Sequence, residues 1–266
     1  MSRTPDGQAA AELKRCCATA YGLDIVAALL GESYHPGGIE LTRRLAGALG
    51  LRTGMRVAEV ASGPGTTAIA LAEEFGVHVI GLELGARSAA RAARTALARW
   101  PSPRVSFVVA DAEAAPLADG SMDAVLCECA FCTFPDKPRG ASEMARLLRP
   151  GGRVGIADVV VEPERLPPSL QTAGAWIGCL AGALPARGYE HVLGTAGLRV
   201  IASEAHDEAL AAMIDQVEAR LLALRLAGVP ALGAIDPQQV RGVADAARRA
   251  VAGGVAGYLL LVAEKA

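Results

Sequence analysis

Cysteines are the side chains of this sequence that most directly suggest a chemistry. Three of the six, Cys127, Cys129 and Cys132, fall within six residues, and Cys179 follows further along the chain. Thiolates are soft ligands that suit soft metal ions and metalloids. Free cysteines also pack in protein cores as small apolar residues, and four thiolates can hold a structural zinc ion, although this spacing is tighter than in usual zinc knuckles. The cluster therefore leaves three interpretations open: an acceptor site, core packing or a zinc site.

A second group of residues is typical of a site for a nucleoside-bearing cofactor. The segment Glu59-Val-Ala-Ser-Gly-Pro-Gly65 lies between a strand pattern and a helix pattern. Small residues there let the main chain approach a ligand, and the helix N-terminus offers unpaired N–H groups. Glu83 ends the next strand, where a carboxylate can accept hydrogen bonds from both ribose hydroxyls. Asp111 ends the third strand, where it can accept from an adenine amino group. The glycine-rich turn alone would also suit a nicotinamide-binding protein, so the prediction depends on the combination.

A parallel sheet is the element that must position these groups. Short apolar runs predict strands, and the segments between them have helical spacing. The predicted strands are Arg56–Ala61, His78–Glu83, Arg104–Asp111, Met122–Cys129 and Arg153–Val160. The predicted helices are Ile39–Leu51, the segment from the glycine-rich turn to Gly76, Ser88–Trp100, and Lys137–Gly152, which is closed by its final Pro-Gly-Gly. Strands that alternate with helices predict an α/β fold with a doubly wound, mostly parallel sheet. Strand patterns at Gly197–Glu204 and at the C-terminus would complete seven strands.

The remaining segments suggest three parts of the chain. We expect an N-terminal helical segment over residues 1–54, a cofactor-binding core over 55–160, and a lid segment followed by completion of the sheet over 161–266. The lid begins with the proline-rich connector Pro163–Ser169 and continues into an apolar stretch, Leu170–Leu184, which is predicted to be helical. A long helix is predicted at His206–Gly228.

Composition excludes several classes of protein. The 266 residues carry a formal net charge of −2, so nothing suggests a surface that neutralises nucleic acid or coats an anionic membrane. Mean hydropathy is +0.32, yet no apolar stretch approaches the roughly 18–20 residues that span a bilayer. The N-terminus is polar and has no apolar core of signal-peptide length. We therefore expect a cytoplasmic protein with reduced cysteines, a monomer or a homodimer, with no nucleic acid or membrane partner.

The run VAEVASGPG … GLE … VADAE … DAVLCE … LLRPGGRVGIAD, over Met55–Val160, resembles the class I S-adenosylmethionine-dependent methyltransferases. The resemblance is closest to the group that includes the ubiquinone/menaquinone-biosynthesis and arsenite methyltransferases. It implies a Rossmann-like fold and S-adenosylmethionine as cofactor. The residues that it implies for cofactor binding are Glu59, Ala61, Ser62, Gly63 and Gly65 around the methionine part, Glu83 and Leu84 at the ribose, Asp111, Ala112 and Glu113 at the adenine edge, and Cys127 near the methyl group. Ala61 departs from the family, which usually has a glycine there.

The resemblance to arsenite methyltransferases is carried by two cysteines. Those enzymes have a cysteine eight residues before the lysine of a Pro-Asp-Lys, and Cys129 has this position relative to Lys137. They also have a cysteine three places after a tryptophan, which Cys179 matches. The resemblance implies that Cys129 and Cys179 hold trivalent arsenic as catalytic ligands. A further family cysteine before the glycine-rich loop is absent here, so we expect Cys132 to be the third ligand, replaceable by an external thiol such as glutathione.

The candidate functions differ in the chemical nature of the group that accepts the methyl group. A soft acceptor with a lone pair needs thiolate ligands but no base once it is bound, whereas oxygen and carbon acceptors usually need a poised base. The predicted function is methyl transfer from S-adenosylmethionine to a thiolate-bound trivalent metalloid, arsenite above all. The alternatives are methylation of a small organic acceptor, such as a quinone precursor or a secondary metabolite, and a non-catalytic metalloid- or zinc-binding protein. His35, in a His-Pro-Gly-Gly turn, is expected to be a turn residue near the cofactor entrance.

Overall fold

A computed structural model describes residues 7–99, 104–171, 179–180, 182–230 and 236–266. The helices are α1 (Gly7–Tyr21), α2 (Asp24–Leu30), α3 (Gly38–Leu49), α4 (Thr66–Phe75), α5 (Ala86–Arg99), α6 (Lys137–Leu147), α7 (Ala186–Thr195), α8 (Asp207–Leu226) and α9 (Pro237–Ala252). The strands are β1 (Arg56–Val60), β2 (His78–Glu83), β3 (Val105–Val109), β4 (Met122–Glu128), β5 (Leu148–Val161), β6 (Leu198–Ala205) and β7 (Ala256–Lys265). No helix within the described ranges is long and apolar enough to cross a membrane.

The strands form one seven-stranded sheet in the order β3-β2-β1-β4-β5-β7-β6. The first five strands run parallel to one another, and β7 pairs antiparallel with both β5 and β6. The predicted doubly wound, mostly parallel sheet is therefore confirmed. The strand order reverses between β1 and β4, and open α/β sheets bind ligands in the crevice at such a point, beyond the carboxyl ends of the strands. Glu59 and Glu128 stand at the ends of these two strands.

Two apolar layers pack against the sheet because successive side chains of a strand point to opposite faces. On β1, Val57 belongs to the layer that contains Leu45 of α3 and Leu71 of α4. The next residue, Ala58, belongs to the opposite layer, which contains Met144 of α6. Both faces of the parallel part are thus covered, and only the strand ends remain open for a ligand.

The predicted helix over Lys137–Gly152 is too long. It ends at Leu147, and Leu148 already pairs with Met122 of β4. Pro150 explains the early end, because the residue before a proline is disfavoured in helical conformation and a proline interrupts a helix interior.

Two helices were not predicted, namely α7 and α9. The start of α9 carries a recognisable signal, since Asp236 caps the helix by accepting a hydrogen bond from the main-chain N–H of Gln238 and a proline follows at the first helical position. Only parts of the lid segment are described. Pro168–Leu170 forms a short 3₁₀ turn, and Leu184 accepts a hydrogen bond from the N–H of Val161. Trp176, and with it most of the helix predicted over Leu170–Leu184, lies outside the described residues, as does Trp100.

Candidate functional site

The glycine-rich loop joins β1 to α4 in a strained conformation. Ala61, Gly63 and Gly65 all have positive φ, at 56°, 51° and 80°. A Cβ atom on Gly65 would lie 2.5 Å from the Phe107 ring, so this position needs glycine for space as well as for conformation. Ala61 adopts a left-handed conformation that costs an L-residue about 1–2 kcal/mol. Alanine at this position, where the family usually has glycine, therefore strains the backbone.

Glu83 ties the loop to the end of β2. Its two carboxylate oxygens accept hydrogen bonds from the main-chain N–H groups of Gly63 and Gly85, each at 2.8 Å. Burial raises the pKa of the Glu83 carboxyl, although these two bonds act in the opposite direction. Each carboxylate oxygen has more than one acceptor site, so the group can also accept from a ribose hydroxyl.

Two buried polar atoms in the same cavity have no partner among the described residues, namely one carboxylate oxygen of Glu59 and the hydroxyl of Ser62. Buried polar groups are nearly always hydrogen-bonded, so these atoms point to a ligand with donor groups. Burial, together with the charge of Glu128, raises the pKa of the Glu59 carboxyl well above its usual value. The ammonium group of a bound S-adenosylmethionine is a donor of this kind, and the residues present fit that cofactor.

The adenine side of the cavity is covered by α1. Lys14 donates to Asp111 at 2.7 Å and to Glu113 at 2.5 Å. Asp111 also caps the following turn by accepting from the N–H of Glu113. Residues three and four apart share a helix face, and Lys14, Cys17, Ala18 and Tyr21 all line the cavity. The helix α1 therefore runs from the adenine side to the cysteines.

The sulfur atoms of Cys129 and Cys179 lie 3.6 Å apart, and of the two residues Cys129 lines the cavity whereas Cys179 lies behind it. Cys129 follows β4 directly, and its side chain lines the cavity, whereas Cys179 is 97% buried, at 3% relative exposure. The hydroxyl of Tyr21 lies 3.8 Å from the Cys179 sulfur. Both cysteines have positive φ, at 50° and 68°, a conformation that is uncommon for side chains other than glycine and clusters at functional sites.

One thiolate is favoured within this sulfur pair. Hydrogen bonds from the thiols of Cys129 and Cys132 lower the pKa of Cys179 well below its usual value. The same contact with Cys179, together with burial, raises the pKa of Cys129. A thiolate is the form of cysteine that binds metalloids and attacks electrophiles. Cys179 is thus the soft donor of the pair, and Cys129 supplies the hydrogen bond that stabilises it.

The other two cysteines of the cluster lie behind the cavity. Cys132 is fully buried and does not line it, although its thiol contacts Cys179. Cys127 points into the opposite core layer, among Val125 and Met144, and does not reach the cofactor cavity where it was expected. The reason is the alternation of side chains along β4, which places Glu128 towards the cavity and Cys127 away from it. Throughout the described part of the chain, no three His, Cys, Asp or Glu side chains are arranged to hold a metal ion, so neither the zinc interpretation nor the predicted set of three sulfur ligands, Cys129, Cys132 and Cys179, gains support.

Lys137 and Asp158 are site residues for which sequence reasoning assigned no role. The Lys137 ammonium donates to the carbonyl oxygens of Cys132 and Phe134, at 2.7 and 3.1 Å. Asp158 accepts from the N–H groups of Cys132 and Val159, at 2.8 and 2.7 Å. Burial lowers the pKa of Lys137 and raises that of Asp158 to about 7. One sequence signal could have indicated a role for Lys137. It is the lysine of the Pro-Asp-Lys motif from which the position of Cys129 was identified.

The side chain of His35 lines the cavity and faces a carboxylate, beyond its predicted place in a turn. Its Nε2 atom lies 3.4 Å from a carboxylate oxygen of Glu128, and the ring is 8% exposed and lines the cavity. The hydroxyls of Thr42 and Thr67 donate to the same carboxylate at 2.9–3.1 Å. A histidine beside an oriented carboxylate can accept a proton, so the cavity also holds a candidate base.

Most predicted cofactor residues meet in one cavity. The residues that line it are Glu59, Ala61, Ser62, Gly63, Glu83, Leu84, Asp111, Ala112 and Glu113. Gly65 does not line the cavity, because it packs against Phe107 and caps α4.

Comparison with known proteins supports this description. Residues 57–152 match the family model of a methyltransferase domain, Methyltransf_25. The chain is 33% identical over 153 residues to a 27-O-demethylrifamycin SV methyltransferase of Amycolatopsis mediterranei, covering 53% of this chain and 56% of that protein. It is 32% identical over 158 residues to an arsenite methyltransferase of Halobacterium salinarum, covering 58% of this chain and 40% of that protein. A crystal structure of the [4+2]-cyclase SpnF superposes with a TM-score of 0.70 at 26% identity, covering 85% of this chain and 80% of that one.

The seven-stranded sheet has the fold of class I methyltransferases, and residues 57–152 match a methyltransferase domain of the kind that takes its methyl group from S-adenosylmethionine. The chain spans about half the length of the curated relatives it matches. Those relatives are named for different acceptors, and one similar fold is named for a cyclisation. Because a fold does not determine a reaction, the acceptor has to be argued from the site.

Proposed function

We propose that this chain transfers a methyl group from S-adenosylmethionine to a trivalent metalloid, arsenite, that is held by Cys129 and Cys179. The observation that carries the proposal is the 3.6 Å distance between the two sulfurs at the end of β4. Two sulfurs bound to one arsenic atom are separated by a similar distance, so little rearrangement is required. An external thiol such as glutathione is the proposed third donor, because Cys132 contacts Cys179 but lies behind the cavity.

The cofactor, when bound, supplies an electrophilic methyl group on a sulfonium. Glu59 and Ser62 would hold its methionine part, Glu83 its ribose and Asp111 its adenine. Methyl transfer is an in-line displacement in which positioning and exclusion of water supply most of the rate. The thiolates would hold the acceptor beside the methyl group. The sulfonium would supply that methyl group to the arsenic lone pair and leave as a neutral thioether, so the arsenic would leave the step in the pentavalent state.

The acceptor needs no base for this step, because its lone pair is already free when the sulfurs bind it. Binding itself requires thiols to lose protons. A hydroxide ligand of arsenite leaves as water with each thiol proton, so binding of the neutral acid is balanced. The low pKa of Cys179 makes it the sulfur that binds first.

The test of this proposal is to incubate the purified chain with S-adenosylmethionine, glutathione and arsenite and to separate the arsenic species. We expect monomethylated arsenic to appear in proportion to enzyme. If S-adenosylmethionine binds and arsenite remains unmethylated under all thiol conditions, the proposed acceptor is wrong while the methyltransferase class stands.

The His35–Glu128 pair favours a second candidate, methylation of a small organic acceptor at oxygen or carbon. Such an acceptor must lose a proton, and His35 and Glu128 both line the cavity, with the Thr42 hydroxyl in contact with both side chains. A quinol is a suitable probe. Methylation of the quinol that His35→Gln abolishes, with arsenite inert, would favour this candidate over the first.

A further inference from the structure

The loop from Cys129 to Phe134, which we call the thiol loop, joins β4 to α6 and carries two of the clustered cysteines. Cys129 begins it in a left-handed conformation. Conformations of this kind persist only where the surrounding structure over-determines them. The contacts that hold the thiol loop therefore decide whether the Cys129 sulfur stays near Cys179.

Strand β5 holds the thiol loop at two successive residues. The carbonyl oxygen of Ala157 accepts from the N–H of Cys129 at 2.7 Å, and the carboxylate of Asp158 accepts from the N–H of Cys132 at 2.8 Å. Helix α6 holds the loop from the other direction, since the Lys137 ammonium donates to the carbonyl oxygen of Cys132 at 2.7 Å. The main-chain N–H of Cys132 is thus bound by the Asp158 carboxylate, and its carbonyl oxygen is bound by the Lys137 ammonium.

Both ionisable side chains are buried, at 1% exposure for Asp158 and 9% for Lys137. Burying an ionisable group costs free energy unless it is paired and hydrogen-bonded. Hydrogen bonds to charged groups are shorter and stronger than those between neutral groups. Holding one loop residue with two buried ionisable groups is costly for a connection between a strand and a helix. The residue that is held, Cys132, has its thiol in contact with Cys179.

We propose that Lys137 and Asp158 are positioning residues of the sulfur site, which act on the main chain of Cys132 and thereby set the distance between the Cys129 and Cys179 sulfurs. The inference rests on the proposed function for its biological meaning. Its geometric content, a fixed distance between two sulfurs, can be measured without any acceptor.

The test compares Lys137→Met with Arg146→Met. Methionine keeps the unbranched shape of lysine and removes the donor. Arg146 is a matched control, because it lies on the same helix and donates to the main-chain carbonyls of Ala115 and Leu117, away from the sulfurs. For each protein, three quantities are measured: the dissociation constant for arsenite, the dissociation constant for S-adenosylmethionine, and the rate at which diamide links Cys129 to Cys179, identified by peptide mapping.

We expect Lys137→Met to weaken arsenite binding about tenfold, which corresponds to about 1.4 kcal/mol, and to slow formation of the Cys129–Cys179 disulfide, with unchanged affinity for S-adenosylmethionine. Arg146→Met is expected to leave all three quantities unchanged, even if it lowers thermal stability. Asp158→Leu is a second variant, which removes the acceptor of the Cys132 N–H and also serves should Lys137→Met fail to fold. Loss of the Lys137 charge disfavours the Cys179 thiolate, whereas loss of the Asp158 charge favours the Cys129 and Cys132 thiolates, so slower disulfide formation in Asp158→Leu reports sulfur position and not thiol acidity.

Parent-like disulfide formation and arsenite affinity in Lys137→Met would overturn the inference, and so would an equal loss in Arg146→Met. If the parent protein does not bind arsenite, the proposed function fails, and the disulfide rate alone decides the positioning role. The two failures are therefore distinguishable.

Discussion

Cys129 and Cys179 lie 50 positions apart in the chain, yet their sulfur atoms are 3.6 Å apart, and both residues have left-handed backbone conformations. The Cys179 sulfur also lies 3.4 Å from the main-chain oxygen of Cys129. Core packing of small apolar cysteines requires neither unusual conformation. A pair that is held in this way is better explained by a ligand that needs two adjacent sulfurs.

Cys16 and Cys17 are adjacent on α1 and should react differently with iodoacetamide. Cys16 is exposed, whereas burial, followed by the charges of Cys16 and Cys179, raises the pKa of Cys17 to about 11. Because only the thiolate reacts, we expect Cys16 to be alkylated first at pH 8. Saturating S-adenosylmethionine should slow Cys17 further and leave Cys16 unaffected. Both cysteines lie in the tryptic peptide that begins at Cys16, so fragmentation of that peptide in tandem mass spectrometry measures the two rates, and equal rates would contradict the placement of α1 over the cavity.

Replacing Ala61 with glycine should stabilise the protein. Ala61 has a φ of 56°, a conformation that costs an L-residue about 1–2 kcal/mol, and the greater flexibility of glycine in the unfolded chain offsets part of the gain. We expect the free energy of unfolding in urea to rise by about 0.5–1 kcal/mol. Ala58→Gly is the control, because Ala58 is buried on β1 and the same change there should destabilise. A loss of stability in Ala61→Gly would show that the methyl group makes contacts that outweigh the strain.

Glu59 should make the affinity for S-adenosylmethionine depend on pH. Burial raises its pKa well above the usual value, so the free protein keeps this carboxyl protonated at pH values where an exposed glutamate is ionised. The cofactor's ammonium favours the carboxylate, so binding releases a proton and affinity rises with pH up to the raised pKa. Calorimetry in buffers of different ionisation enthalpy counts that proton. Glu59→Gln should bind more weakly and release fewer protons, and unchanged proton release in the variant would exclude Glu59 as the source.

The sheet and the cofactor side of the cavity could be predicted because their signals are local. Glycines at a strand-to-helix turn and acids at strand ends are fixed by backbone geometry, so Glu83 and Asp111 lie where strand periodicity predicts. The helix α6 was predicted to be closed by Pro-Gly-Gly, but it ends earlier, at Leu147, because Leu148 already pairs with Met122 of β4, a contact that local spacing does not reveal.

The sulfur site could be predicted only in part. The resemblance named Cys129 and Cys179, but sequence spacing does not reveal which side of β4 a side chain takes once the loop bends, so Cys127 was assigned to the cavity that Glu128 occupies. The roles of Lys137 and Asp158 depend on contacts between a helix and a strand that are distant in sequence. The pairing of His35 with Glu128 likewise joins residues that no local pattern connects.

The rate of arsenite methylation in cysteine variants tests the central claim most directly. Cys129→Ser, Cys179→Ser and Cys127→Ser are each assayed with saturating S-adenosylmethionine and glutathione, after calorimetry has shown that each still binds the cofactor. Serine keeps the size of cysteine and removes the soft donor. We expect Cys129→Ser and Cys179→Ser to lose nearly all methylation, because each leaves the acceptor one sulfur of the 3.6 Å pair, and Cys127→Ser, whose side chain lies in the opposite core layer, to retain the parent rate. Parent-like methylation by Cys129→Ser and Cys179→Ser would contradict the account.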